Sequence, residues 1–398
     1  MKICYFSSKF PPFVGGGETI TYLMARHLSD LGHDVTVVTG ALDDFQPYKP
    51  RVNTEKFKMK YIPGFEQYCV GRGDMVKPLS LIYDTLKKIN PDIIHVHNLL
   101  PQYLLSPIVG DLNAKIVLSY HNTPNPPLRI IGQFNDYELD YAFASHIFKK
   151  TKYDSLVATS DFYKQWGIRL GAPSRKTQLI YSGIDVETFN PSAKRRRDYF
   201  RNKLGLNQND ILITLPSRVI KRKGIVEAMR ALELLKIKYK DIKIFLPCLY
   251  TPFDLPFSRQ ILKLVKKRQL NSCLVHYKRH ISFNEMPLVY AATDITITPS
   301  YYEGLGLCVL ESLGMEVPVV GTDVSGINEI IVDNINGLLV PPRNYKKLAN
   351  AISRLIDNKE LSRRLATAGR KTVLERFNSI KMALELEHHY KYLLKNEN

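Results

Sequence analysis

Short apolar runs of strand length alternate with helical patterns along this chain, in two successive blocks. Ile3–Ser7, Val35–Thr39, Ile93–His97, Ile116–Ser119 and Leu156–Thr159 make the first block. A helical pattern near Thr19–Leu31, ended by Gly32, follows the first run. Strands that are apolar throughout, rather than alternately, belong to parallel sheets covered on both faces. The pattern weakens over Ser182–Leu204, where Pro191 and a basic, polar stretch interrupt it. It restarts with Ile211–Leu215, Ile242–Leu246, Ile295–Thr298, Val317–Gly321 and Leu338–Val340. The pattern predicts an α/β chain with one domain over 1–190, a second over 191–376, and a closing helix in 377–398, helical over Asn378–Leu394. A length of 398 residues agrees with two cores rather than one. Two parallel-sheet domains in one chain predict a ligand cleft between them.

Composition narrows the function classes. With 44% hydrophobic and 24% charged residues the chain is globular in type. No apolar run reaches the roughly 18–20 residues of a membrane span, and the opening MKICYFSSKFPPF does not read as a secretory signal. The five cysteines, Cys4, Cys69, Cys248, Cys273 and Cys308, are scattered and contain no CxxC pair, which supports neither a disulfide framework nor a zinc ribbon. A cytoplasmic protein is expected. Its net charge of +18 is uneven: 1–190 holds 21 basic and 18 acidic residues, and 191–398 holds 35 and 20. The basic half would suit nucleic acid, an anionic membrane, or a small polyanion such as a nucleotide. Its runs, Lys194–Arg197 and Lys221–Lys223 among them, lack the aromatic interleaving of a nucleic-acid module.

Four motifs carry candidate chemistry. Gly15-Gly16-Gly17-Glu18 lies between the first strand and first helix, where glycines admit close backbone approach and the helix start favours an anion. It is not GxGxxG, and a plain turn is an equal reading. Arg218 and Lys223 follow the first strand of the second block, just before a helix begins near Gly224. Two cations and a helix N-terminus suit a diphosphate; the bland alternative is a solvated basic loop. The strongest segment is Pro299–Glu311, in which Glu303 and Glu311 bracket the turn Gly304-Leu305-Gly306-Leu307. Eight helical residues rise about 12 Å. The two carboxylates could therefore grip hydroxyl-bearing groups on either side of an anion held by the turn's free N–H groups. Ribose, diphosphate and hexose in that order describe a nucleotide sugar. Lastly, His121 follows the strand Ile116–Ser119 and could donate, accept or shuttle a proton, although taken alone it reads first as a buried structural histidine. His95 and His97 share a strand face and read as packing rather than as a metal pair, and His388 and His389 read as surface. Asp43-Asp44 reads as a solvated turn.

With these residues assembled, the chain resembles family 4 of the retaining nucleotide-sugar glycosyltransferases, from the first strand to about residue 376. The most specific element is E-x7-E, Glu303 to Glu311. VPVVGTDVSGINEIIVDNINGLLVPP, GGGE with its helix YLMARHLSDLGH running into GHDVTVVT, PDIIHVHN and YSGIDVETFNP resemble the family in order and spacing. The resemblance implies the GT-B architecture: two Rossmann-like parallel-sheet domains facing an inter-domain cleft, with the C-terminal helix crossing back to the first domain. It implies that Arg218 and Lys223 neutralise the donor diphosphate, that Glu311 binds the ribose hydroxyls, and that Glu303 contacts the transferred sugar. It further implies backbone donors from Gly304, Leu305, Gly306 and Leu307, a phosphate-facing loop at Gly16 and Gly17, and a crevice histidine at His121. Glu18 would face the acceptor. Ser217-Arg218 stands where the family often has Gly-Arg, and Pro247–Pro252 where it has a glycine-rich turn.

The implied reaction moves a hexose or N-acetylhexosamine from a nucleotide-diphosphate sugar, UDP by family frequency, to a hydroxyl. No metal or cofactor is expected, because Arg218, Lys223 and helix N–H groups can stabilise the departing diphosphate. The acceptor expected is a small polar molecule (a sugar, cyclitol or aminocyclitol), the aromatic and proline-rich loop His121–Asn135 being able to enclose one. A lipid-linked sugar, with peripheral contact at the inner face of the membrane, is the variant; the near-neutral first half argues against it. A GT-B-related sugar phosphorylase or epimerase is the alternative enzyme, and a nucleic-acid or polyanion-binding protein the alternative of another class. Lys223→Ala is expected to cut turnover with folding intact.

Overall fold

In a computed structural model of the chain, residues 1–11, 15–40, 55–65, 76–121, 136–249, 255–279 and 281–396 are described. They divide into two units, 1–182 with 379–398, and 183–378. The sequence placed the division at 190. Residues 183–190 instead join the second unit through long-range bonds: the Ile184 N–H donates to the Phe377 carbonyl at 2.9 Å, and Arg370 donates to the Phe189 carbonyl at 2.6 Å.

The first unit is built on seven strands: β1 (Lys2–Ser7), β2 (Asp34–Gly40), β3 (Lys58–Ile62), β4 (Ile93–His97), β5 (Lys115–Ser119), β6 (Ser155–Ala158) and β7 (Thr177–Leu179). Their order is β3-β2-β1-β4-β5-β6-β7, and every pairing is parallel. Alternate residues point to opposite faces. Cys4, Phe6, Ile94, Val96, Ile116 and Leu118 supply one face of the core, completely or almost completely buried. Tyr5, His95 and His97 are left for the other, in a register that pairs Tyr5 with His95 and His97 with Ser119.

Two helices at opposite ends of the sequence belong to this unit and pack on each other, Gly16–Asp30 and Ser379–Lys395. The latter buries Met382, Ala383, Leu386 and Tyr390 at helical spacing. The return of the C-terminal helix to the first unit is therefore as the GT-B expectation has it.

The second unit carries β8 (Ile211–Thr214), β9 (Ile242–Phe245), β10 (Leu274–Val275), β11 (Ile295–Thr298), β12 (Val319–Thr322) and β13 (Leu338–Val340). Their order is β10-β9-β8-β11-β12-β13, again parallel throughout. In each sheet the strand order reverses once, between β1 and β4 and between β8 and β11. Loops leave such a pair toward opposite sides, which opens a crevice at the carboxyl ends of the strands.

Candidate active site

In the second unit the two loops at the strand-order reversal are locked together. After β8 the chain runs through a short 3-10 turn, Lys221–Lys223, to Gly224, whose φ of +66° caps the helix Ile225–Lys238. A Cβ on Gly224 would lie 1.9 Å from the Pro299 carbonyl oxygen, just past β11. Only glycine permits that conformation and that approach. The Tyr301 N–H also donates to the Arg222 carbonyl at 2.8 Å.

This contact brings Lys223 against Glu303. Lys223 Nζ donates to Glu303 Oε1 at 2.5 Å, and the Ser300 hydroxyl donates to the same oxygen at 2.7 Å. Arg222 donates to Oε2 at 3.1 Å and to the Tyr302 carbonyl at 3.1 Å. A carboxylate has about four acceptor sites, and three of them on Glu303 are occupied. Burial alone would raise this carboxyl, but Lys223, Arg222 and the donated hydrogen bonds hold it down at about 2. Glu303 is therefore a buried anion that fixes two cations, with one lone pair of Oε2 left for a ligand.

Glu311 has the opposite character. It accepts a single recorded bond from a neighbouring side chain, from the Tyr290 hydroxyl at 2.7 Å. Burial pushes its carboxyl up to about 7, although that bond pulls the other way. Two buried thiols lie within the electrostatic reach of these side chains. Cys248, raised to about 11 by burial, feels both Arg218 and Lys223. Cys308, raised to about 12 by burial, feels Lys223, Glu303 and Glu311.

Between the glutamates, Gly306 takes φ +91° and starts the helix Leu307–Gly314, which has no side-chain cap and no acid in its first turn. The backbone of Glu303–Leu305 rests on Gly326, where a Cβ would lie 2.8–2.9 Å from it. The Val309 N–H donates to the Gly306 carbonyl at 2.9 Å, but the N–H groups that precede it in the first turn have no intrahelical acceptor and the helix dipole adds positive potential, so this turn is suited to an anion. Arg222, Ser300 and Tyr290 were not singled out from sequence. Arg222 was visible there only as part of a basic run.

In the first unit Gly15 precedes the helix Gly16–Asp30, and Glu18 folds back over it; a Cβ on Gly15 would meet Glu18 Oε2 at 2.1 Å. Gly17 packs on His121, with 3.2 Å between its Cβ position and the His121 Cβ. His121 is held by its backbone: its N–H donates to Asn98 Oδ1 at 3.2 Å, and its carbonyl accepts from the Tyr163 hydroxyl at 2.7 Å. Asn98, at φ +76° just after β4, is a further residue the sequence reading passed over. His121 Nε2 lies 2.8 Å from His97 Nδ1. Loss of hydration holds His121 down at about 4, and both His95 and His97 lie well below the ordinary histidine value because they are buried.

The His95–His97 pair packs against Tyr5, Tyr390 and His121, and among the described residues no group of three potential ligands is arranged for a metal. His388 is exposed, but His389 is partly buried, with Nε2 2.8 Å from Ser155 Oγ. His389 therefore departs from the expectation that both are surface residues, because it reaches Ser155 at the start of β6. The loop residues 122–135, Asp43-Asp44 and 250–252 fall outside the described residues. Among the described residues no helix is long and apolar enough to cross a membrane.

Residues 14–188 match the family model described as Glycosyltransferase Family 4, and residues 196–372 match Glycosyl transferases group 1. The chain is 24% identical to the N-acetyl-alpha-D-glucosaminyl L-malate synthase of Bacillus anthracis, over 97% of this chain and 96% of that one. It is 24% identical to the putative teichuronic acid biosynthesis glycosyltransferase TuaC of Bacillus subtilis, over 99% of each. Among solved structures, sucrose-phosphate synthase from Thermosynechococcus elongatus superposes with TM-score 0.83 at 22% identity, covering 99% of both chains. Anabaena HepE, in complex with UDP and glucose, superposes with TM-score 0.82 at 18% identity, covering 98% of this chain and 100% of that one.

Proposed function

Because this chain belongs to the family 4 glycosyltransferases of GT-B architecture, we propose that it transfers a hexose or N-acetylhexosamine from a UDP-sugar, with retention, to a hydroxyl of a small polar acceptor in the cytoplasm. One observation carries the reading: Lys223, Arg222, Glu303 and Glu311 gather around an uncapped helix start at a strand-order reversal. Arg218, Lys223 and the N–H groups of Gly304–Leu307 hold the diphosphate. Glu311 accepts from the two ribose hydroxyls. The remaining lone pair of Glu303 Oε2 takes a hydroxyl of the transferred sugar. As the sugar–phosphate bond breaks, negative charge grows on the departing diphosphate, which fixed donors stabilise without reorganising. In the first unit, Gly16 and Gly17 contribute the phosphate-facing loop, Glu18 faces the acceptor, and His121 serves the reacting centre. Two similar proteins support donor and acceptor class: one is an N-acetyl-alpha-D-glucosaminyl L-malate synthase, and one is solved in complex with UDP and glucose.

The test is a hydrolysis screen of purified protein against UDP-, GDP- and ADP-sugars without acceptor. Slow release of UDP and free sugar is expected. Turnover of GDP- or ADP-sugars alone would overturn the donor assignment, and release of sugar 1-phosphate or of an epimer would overturn transfer itself. The anomeric coupling of product made with added acceptor reads retention.

Glu311 gives a second expectation. Burial raises its carboxyl to about 7, and only the ionised form offers acceptors alone to the two hydroxyls of a diol. Affinity for the donor selected by the screen should therefore fall as pH drops below 7, by roughly 30-fold between pH 8 and 5.5, if only the ionised form binds. Titration calorimetry at several pH values checks it. Glu311→Gln should flatten the curve, and a flat wild-type curve would remove Glu311 from ribose recognition.

A further inference from the structure

The buried polar groups around β4 form a chain of hydrogen bonds whose proton positions follow from its ends. Thr21 Oγ1 lies 2.8 Å from the Gly17 carbonyl and 3.0 Å from His97 Nδ1, and the arrangement that leaves no buried N–H orphaned on the partnerless His97 Nε2 points the single Thr21 proton at the carbonyl. The hydroxyl can then only accept from His97 Nδ1, and His97 carries its proton there. The same proton faces His121 Nε2 at 2.8 Å, so that nitrogen is bare and His121 is protonated on Nδ1. His97 Nε2, which finds no partner in its buried setting, is then an unfilled acceptor rather than an orphaned N–H, the less costly of the two.

The neighbouring histidine is fixed the opposite way. Ser119 Oγ donates to the Val157 carbonyl at 2.9 Å, so it accepts from His95 Nε2 at 2.8 Å. His95 Nδ1 is therefore bare and accepts from the Tyr390 hydroxyl at 2.5 Å, and Tyr390 accepts from Tyr5 at 3.3 Å. Burial keeps all three rings neutral.

We propose that His97, set by Thr21, is a positioning residue that holds His121 as a neutral imidazole presenting its Nδ1–H. His121 then acts by donating a hydrogen bond to an oxygen of the bound substrate, not as a proton-accepting base. This rests on the assignment of His121 to the reacting centre, but the tautomer itself is a property of the free protein.

Long-range nitrogen–proton NMR of the imidazoles, on the full chain without ligand, reads it directly. Expected are Nδ1–H for His97 and His121 and Nε2–H for His95, unchanged from pH 6 to 8.5. A His121 protonated on Nε2, or titrating in that range, overturns the proposal. Failure to release UDP and free sugar in the donor screen leaves the NMR outcome standing, so the two ideas fail separately. His97→Asn places an amide N–H where Nδ1–H was, and should preserve the His121 tautomer and turnover. His97→Phe should release the tautomer and lower kcat about tenfold or more at unchanged donor KM, less than the roughly 10²–10³ that a direct donor carries. Equal loss in both variants with the tautomer unchanged would assign His97 to packing alone. If His97→Phe fails to fold, Thr21→Val tests the same link, since the His121 tautomer should shift when the hydroxyl is lost.

Discussion

Turnover of the Lys223→Ala enzyme is expected to fall by about a thousandfold at saturating donor, the scale of a lost charge stabiliser at a developing oxyanion. Rapid-quench measurement of sugar transfer checks it. Turnover within threefold of wild type would dismiss Lys223 from the chemistry. Stability should fall as well, which corrects the expectation from sequence that folding stays intact. Lys223 and Glu303 are both buried and paired. Removing the ammonium leaves the carboxylate to Arg222 and Ser300, at a cost of about 2–4 kcal/mol.

The pH dependence of stability should report the same loss. Glu303 sits at about 2, below its ordinary 4.5, so its stabilising effect is complete above about pH 4.5 and disappears as pH falls toward 2. The shift corresponds to about 3 kcal/mol. Urea melts at pH 7 and pH 3 should show wild type losing more stability on acidification than Lys223→Ala.

Gly224→Ala is expected to have an effect of similar size through the backbone alone. At φ +66° an alanine costs about 1 kcal/mol or more from conformation. Its methyl would also enter the Pro299 carbonyl oxygen at 1.9 Å, a main-chain atom that cannot move without dragging the end of β11. A total of about 3–5 kcal/mol is in the range of strained, overpacked sites. Calorimetry of the full chain should show the transition of the second unit lowered. Donor binding should weaken in parallel, since Lys223 and Ser300 flank the moved contact. An unchanged melting profile would mean that the two loops are not locked.

The interior strands were legible because a strand buried on both faces carries few charged residues, as in Ile93–His97 and Ile295–Thr298, which are buried throughout. The strands that escaped notice, Lys58–Ile62, Thr177–Leu179 and Leu274–Val275, all lie at sheet edges. There one flank is open, so KMKYI can carry exposed lysines and two residues suffice for a strand. Glu303 and Glu311 could be found because their chemistry lies in local spacing around a glycine turn. Arg222 could not be paired with Glu303, nor Tyr290 with Glu311, because the partners stand 81 and 21 residues apart. Tyr390 meets His95 across 295 residues, which is why the histidine pair looked like simple packing. The division near 190 was displaced for the same reason, since residues 183–190 are held by Phe377 and Arg370.

The C-terminal helix has a bearing on biosynthesis. A ribosome delivers residues 1–182 well before the helix Ser379–Lys395, yet the first unit lacks Tyr390, Leu386 and their neighbours until that helix is made. Residues 183–378 are contiguous and have every strand of their sheet in hand earlier. The half that emerges first is thus completed last, and a nascent chain stalled before its final helix carries an open seam along the Tyr5 and His95 side of the sheet.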